Sequence, residues 1–413
     1  MARSGMLEIE EARRLVREAA SPLPVEAVEL SAALGRVLGE DVVAGEAVPA
    51  FDGSAMDGFA VRAQDVAGAG PAAPARLAVV DESRAGSPAA AALGPGQAIA
   101  ISTGAMLPAG ADAVIRLEDT RCEDGAVEVL LAAPRGQSVR RAGEDVRAGQ
   151  TVLARGTPLG PAQLGVLATL GAAHARCARR PRVSLLVSGD ELLAVGQPAR
   201  AGAVRDANSL TIAALARGAG AEVAKADTVG DDAEETVAAL ARATAGVDVA
   251  VVCGGVSVGA HDHVRPSLQA LGAHTIFWGL ALRPGHPTWF GTLGPTLVFG
   301  LPGNPVSAMV TFVLLVAPAL RAMLGMPERG ERLTAVMERD YEKPAGRAHA
   351  VRCRLRAHAD GWHAEPTGPQ GSHVLSSMLA ADALAILPSA TVAVRAGERV
   401  EIEPLGAWAG TSA

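Results

Sequence analysis

From residue 181 to about 325 the chain repeats one pattern: a short run rich in Val, Leu or Ile, a loop of small and polar residues, then a helical segment. The runs lie at 182–187, 222–228, 247–253 and 296–299. They are apolar nearly throughout, as strands buried on both faces are. Alternating such strands with helices predicts a mainly parallel sheet covered on both sides. Open sheets of this kind bind ligands at the carboxyl ends of their strands, and here the residues with usable chemistry collect there.

The first loop is Ser188-Gly189-Asp190-Glu191 and the second Gly230-Asp231-Asp232. The third runs from Gly254 and Gly255 through Val256, Ser257 and Gly259 to Asp262; the fourth is Gly300-Leu301-Pro302-Gly303-Asn304-Pro305-Val306-Ser307. Taken singly, each fits a tight turn, and Asp231 and Asp232 fit caps of a helix at 233–245. Together they form one chemistry. Gly254, Gly255 and Gly259 let backbone N–H groups approach an anion. The loop from 300 to 307 opens a long helix whose N-terminus and Ser307 favour a phosphate. Carboxylates at Glu191, Asp231, Asp232 and Asp262 would repel that phosphate unless a cation lies between, and hard oxygen donors beside phosphate imply Mg2+. His261 and His263 flank Asp262, but three neighbouring residues cannot all face one point, so a transition-metal site there is the weaker reading.

The rest of the chain narrows the function. A net charge of −7 and 3% aromatics in 413 residues disfavour nucleic-acid and anionic-membrane partners. Cys122, Cys177, Cys253 and Cys353 are widely spaced, which suggests neither a zinc site nor a disulfide framework. The polar start suggests no signal peptide. The apolar run 306–320 is short for a membrane span and contains Pro318, so it reads as a buried helix and the protein as cytoplasmic. Lys225 and Lys343 are the only lysines, a compositional bias that makes Arg the default cation.

Composition also divides the chain. Residues 1–46 and 146–180 share a texture and predict one discontinuous linker domain, with helices near 7–19 and 159–170. Residues 47–145 are rich in Gly and Pro with short apolar runs, and predict a β insertion. Residues 181–327 form the α/β domain and 328–413 a small β domain with period-two alternation. The insertion carries the segments 51–62, 101–105 and 140–145, which look like a second half-site.

These segments resemble a known family. FDGSAMDGFAVR, STGAMLPAGADAV, RRAGEDV, SGDEL, CGGVSVGAHD, FGLPGNPVSA and GPQGSHVLSS occur in the order and spacing of the bacterial molybdopterin molybdenumtransferases, which are related to the E domain of gephyrin. The resemblance implies a multidomain α/β plus β fold: a MogA-like α/β domain, a discontinuous linker domain, a β insertion and a C-terminal β domain, in an elongated homodimer. It implies an enzyme that takes adenylylated molybdopterin and molybdate, uses Mg2+, and releases AMP with the metallated pterin. It implies as further partners the upstream adenylyltransferase and downstream cofactor-maturation or apo-molybdoenzyme proteins. Carried over by motif, Asp57, Thr103 and Asp145 belong to the insertion's half of the site, with Glu191, Asp232 and Asp262 in the α/β half as catalytic or metal-holding residues. Ser188, Gly254, Gly255, Ser257, Gly259, Pro302, Gly303, Asn304, Pro305, Ser307 and Ser372 would bind substrate. One segment departs from the family. Where it usually reads close to K-L-A-I-K-P-G-K-P, this chain has Gly279, Arg283 and His286 in place of the lysines; Arg283 is then the surviving permanent cation for an oxyanion. Two other readings stand beside this one: a molybdopterin adenylyltransferase-like enzyme, and a non-catalytic gephyrin-like scaffold.

Overall fold

The computed structural model describes residues 6–257, 259, 262–328 and 332–405; the His261 reading falls outside them. The chain divides into two compact units. One comprises residues 1–40, 155–160 and 174–413, the other residues 41–154 and 161–173.

The first unit is organised by a six-stranded sheet. Its strands are β1 (Arg182–Ser188), β2 (Glu222–Val229), β3 (Val249–Cys253), β4 (His274–Trp278), β5 (Trp289–Leu293) and β6 (Thr296–Leu301), in the order β2-β1-β3-β6-β5-β4. The first four in that order are parallel and the last two antiparallel. The four parallel strands are those expected from sequence. The antiparallel pair is an addition, in a stretch where Gly and Pro interrupt the apolar pattern. Helices α2 (Asn208–Gly218), α3 (Ala233–Thr244) and α4 (Val264–Ala270) connect the strands, and every residue of β3 and β6 is buried.

Residues Pro305–Met323 form one helical run, long and apolar enough to cross a membrane, yet 72% of that stretch is buried within the chain. It packs on α1 (Ile9–Ala19), whose Ile9, Ala12 and Val16 share one face. The run widens to a π turn at Phe312–Val316. Pro318 explains a loose end there: it has no N–H, so the Leu314 carbonyl loses its helical donor. The Arg13 Nε supplies one instead, at 3.0 Å, while its Nη2 meets Glu403 at 2.7 Å.

Beyond the sheet, β7 (Thr334–Met337), β8 (Ala348–His358), β9 (Gly361–Pro366), β10 (Ala383–Leu387) and β11 (Arg399–Pro404) pair in the order β8-β9-β7-β11-β10, and β10 pairs back onto β8. The β8–β10 pairing closes these five strands into a ring, and Leu282–Arg283 adds a sixth strand parallel to the start of β8. Within the segments expected to form the linker, Val25–Glu29 pairs antiparallel with His174–Ala178.

The second unit holds a six-stranded, mostly antiparallel sheet built from residues 58–129. The expected β insertion therefore exists, and the helix Pro161–Thr169 belongs to this unit.

Arg13→Ala should strip the Leu314 carbonyl of its donor and Glu403 of a partner. We expect a loss of about 1–3 kcal/mol, the usual cost of leaving a buried acceptor unsatisfied. A lowered thermal midpoint, with Arg13→Lys falling between, would verify it; equal midpoints would show that water replaces the guanidinium.

Candidate functional site

The loops after β1, β2, β3 and β6 enclose a pocket of about 310 Å3. Ser188, Gly189, Glu191, Asp231, Gly254, Gly255, Val256, Ser257, Asp262, Pro302, Gly303 and Asn304 line it, with Pro287 from the segment before β5. Four sequence-distant motifs thus meet at the carboxyl edge of the parallel strands, as the strand pattern required.

Hydrogen bonds within and between the loops fix them. The Asp231 N–H donates to Asp190 Oδ1 at 3.0 Å, and the Ser188 hydroxyl donates to Asp231 Oδ1 at 3.3 Å. Asn208 is nearly buried and donates to the Gly303 carbonyl at 2.8 Å, which ties α2 to the proline-rich loop. The Trp278 Nε1 donates to the Val256 carbonyl at 3.1 Å, and Arg265 stacks 4.2 Å above the Trp278 ring centroid. Neither Trp278 nor Arg265 was singled out from sequence, because neither sits in a loop motif.

Several expectations need correction. Asp231, not Asp232, is on the pocket wall; the Asp232 carboxylate accepts the Glu235 N–H at 2.8 Å and caps α3. Two of the three glycine N–H groups expected to face an anion are already engaged. Gly254 donates to the Leu301 carbonyl at 3.0 Å and Gly259 to the Asp262 carboxylate at 2.6 Å. Gly254 is required for another reason. Its φ is +92°, and a Cβ there would lie 2.5 Å from the Ser188 carbonyl oxygen, so β1 and β3 approach closely only without a side chain. Ser307 is 4% exposed and, like Pro305 in the first helical turn, does not line the pocket.

Arg283 also lies off the pocket wall. Its strand segment pairs with β8, opposite His349. There it belongs to a cationic cluster. Burial, with Lys343 and Arg283 nearby, pushes the His349 imidazole down to about 4. Arg283 and Arg352 both act on Tyr341, whose burial raises its phenol. Arg352 is fully buried; it donates to Ser377 Oγ at 3.0 Å and to the Gly371 carbonyl at 3.1 Å, while its Nη1 has no partner. Burial also lowers its guanidinium below the ordinary value. The next residue after Gly371, Ser372, accepts from the Asn304 amide at 3.0 Å. Asn304 on the pocket wall and the buried Arg352 thus bond neighbouring residues of one loop, Ser372 and Gly371. His286 turns its Nδ1 to the Leu280 carbonyl at 2.9 Å, and Gly279 has a φ of +86°.

In the second unit, Thr103 donates to Asp57 through its N–H at 2.7 Å and its hydroxyl at 3.0 Å, which holds the Asp57 carboxyl below the usual range. Asp52 takes the Ala142 N–H at 2.8 Å and Arg141 at 2.6 Å. The three decorated segments thus knit together, with Asp57, Thr103 and Asp145 all exposed.

The fold is that of a multidomain α/β plus β protein with a pocket at the carboxyl edge of its parallel strands. Three family profiles cover most of it: the MoeA N-terminal region (domain I and II) at residues 7–171, a probable molybdopterin binding domain at 184–322, and the MoeA C-terminal region (domain IV) at 334–405. The molybdopterin molybdenumtransferase of Haemophilus influenzae is 35% identical over 97% of this chain and 98% of its own length. Molybdopterin molybdenumtransferase 2 of Mycobacterium tuberculosis is 37% identical, over 96% and 99%. The crystal structure of the MoeA protein of molybdopterin biosynthesis from Pyrococcus horikoshii superposes with a TM-score of 0.85 at 30% identity, covering 98% of this chain and 100% of that one. The chain belongs to the MoeA family, the molybdopterin molybdenumtransferases. It is a transferase of molybdenum cofactor biosynthesis.

Gly254→Ala should combine left-handed strain with a clash against Ser188. We expect about 1–3 kcal/mol of destabilisation and loss of pterin binding. Gly246→Ala, at φ +69° with nothing within 4 Å of the new Cβ, should cost only about 1 kcal/mol. Comparing the two melting temperatures isolates the contact from the dihedral.

Proposed function

We propose that this chain inserts molybdate into adenylylated molybdopterin and releases AMP, as a cytoplasmic homodimer that uses Mg2+. One observation carries the reading. The pocket wall presents Glu191, Asp231 and Asp262 with no basic side chain among its described residues. An anion entering three carboxylates needs a cation between. The donors are carboxylate and hydroxyl oxygens, which suit Mg2+. Glu191, Asp231 and Asp262 would hold it, with Asp232 beside them on the same loop. Bound there, the ion would neutralise and polarise the adenylyl phosphate.

The protein's own contribution is positioning. The loops 188–191 and 302–304 fix the phosphate end of the pterin nucleotide. Arg283 is exposed on its strand beside β8, and its permanently charged, forked guanidinium suits an oxyanion like molybdate. Bringing two anions together is the main barrier, so proximity and charge neutralisation dominate the catalysis. The direct test is AMP release from adenylylated pterin on adding molybdate. An adenylyltransferase would instead form adenylylated pterin from ATP, and a scaffold would do neither.

Asp262→Asn should keep the fold and raise the Mg2+ concentration for half-maximal AMP release about tenfold or more, since one charged contact is worth roughly 1.5–3 kcal/mol. An unchanged Mg2+ titration would remove Asp262 from the metal's ligands.

The exposed Asp57–Thr103 pair supports a shared site. Phe51, Met56 and Met106 beside it are each more than 40% exposed, and apolar groups around a polar motif suit an interface. We infer that this half-site of one protomer completes the acidic pocket of its partner. Asp57→Ala and Asp262→Ala should each be inactive, yet co-expressed chains should recover roughly a quarter of wild-type activity, because random pairing makes half the dimers mixed and each carries one intact site. Tagged heterodimers as inactive as their parents would place each site within one chain.

A further inference from the structure

Outside the pocket, one cluster of metal-ligating side chains stands out. It lies on the β7-β8-β9 end of the C-terminal ring. His358 ends β8 and His363 lies in β9, across the Ala359-Asp360 turn. Glu338 follows β7, and its N–H donates to the Ala364 carbonyl at 3.0 Å. The register explains the gathering. Val336 pairs with His363 and Met337 with Ala364, while Arg356 pairs with His363. Alternation along strands then puts Glu338, His363, Arg356 and His358 on one face, opposite the buried Met337 and Ala364.

We propose that Glu338, His358 and His363 form a binding site for a transition-metal dication of the Zn2+ type, separate from the acidic pocket. One donor atom from each lies within 4.8 Å of the others. The separation of His358 Nε2 from Glu338 Oε1 is 3.7 Å. That is too long for a hydrogen bond, but it is the span of two metal–ligand bonds of about 2.0 Å meeting at an open angle. The two imidazoles stack with centroids 4.0 Å apart and planes 20° apart, so a shared ion requires one ring to turn about its Cβ–Cγ bond and bring its lone pair towards the other. The His363 Nε2 meets Asp360 Oδ1 at 2.9 Å. A carboxylate on one ring nitrogen fixes the tautomer and leaves the other nitrogen for metal, the arrangement that outer partners give to metal-binding histidines.

The neighbouring arginines do not consume the acid. Arg356 approaches Glu338 only to 3.6 Å while it donates to Glu365 at 2.9 Å, and Arg339 also pairs with Glu365. Glu338 is therefore held near the imidazoles, with Arg356 at ion-pair distance but making its closer hydrogen bond to Glu365 instead. Imidazole nitrogen selects Zn2+, Cu2+ or Ni2+ over Mg2+, so the two sites differ in the metals they attract. The metal would clip β7 to the β8–β9 hairpin and act on stability.

The test uses the untagged, metal-stripped full-length chain. Isothermal titration with ZnCl2 should give one equivalent bound with a raised melting temperature, and Co2+ should give visible d–d bands of a nitrogen-ligated ion. His358→Ala and His363→Ala should each weaken binding more than tenfold, and Asp360→Asn about tenfold. All three positions are on the surface or at its edge, and circular dichroism would confirm that the variants fold. Glu191→Gln, in the pocket, should leave Zn2+ affinity unchanged. The proposal is overturned if no Zn2+ binds, if binding survives both histidine substitutions, or if Glu191→Gln abolishes it.

Discussion

Burial of the parallel strands on both faces is the constraint from which the rest of the α/β unit follows. Strands β1, β3 and β6 have no solvated face on which to carry function, so polar chemistry is confined to their ends. Parallel pairing then brings all the carboxyl ends to one edge. The pocket is the meeting of the four loops on that edge, and its close packing sets which residues fit. Gly254 is there because β1 passes too near for a Cβ. Asn208 reaches back from α2 to hold the loop after β6.

The same edge separates charge. Carboxylates line the pocket, while the cations stand on the neighbouring C-terminal ring around β8. A buried Arg352 is costly to desolvate, and three carbonyl or hydroxyl partners offset that cost only in part. His349, kept neutral beside Arg283 and Lys343, adds no further charge of its own near neutral pH.

Much of this was legible in the sequence. The four parallel strands, the loops they carry, the β insertion and the buried helix at 305–323 all follow from local pattern. The parts that were not legible depend on distant neighbours. Arg352, Arg354 and Arg356 alternate along one strand and look alike in sequence; only Arg352 is buried, because residues 369–377 fold over it. Asp231 and Asp232 are adjacent acids, and which caps and which faces the pocket is decided by the start of α3. Closure of the C-terminal ring rests on β8 pairing with β10, a contact that period-two alternation does not encode. The helix-terminus argument put Ser307 at the phosphate, whereas its side chain is buried in the first turn of the helix that begins at Pro305 and is not on the pocket wall.

The altered lysine segment shows how composition and geometry interact. The chain keeps Lys225 and Lys343 alone, and each ammonium bonds backbone carbonyls. Lys225 takes those of Arg242 and Ala245 at 2.8 Å, at the end of α3, and Lys343 takes that of Arg347 at 2.9 Å. A compact ammonium suits such crowded acceptors better than a planar guanidinium. Arg283 keeps charge with a flat, forked head and sits at the surface beside β8. Gly279 cannot simply regain a lysine, because its φ of +86° disfavours any side chain. Positive charge in the segment 279–286 therefore rests on Arg283, and the oxyanion half of the proposed site is to be sought there.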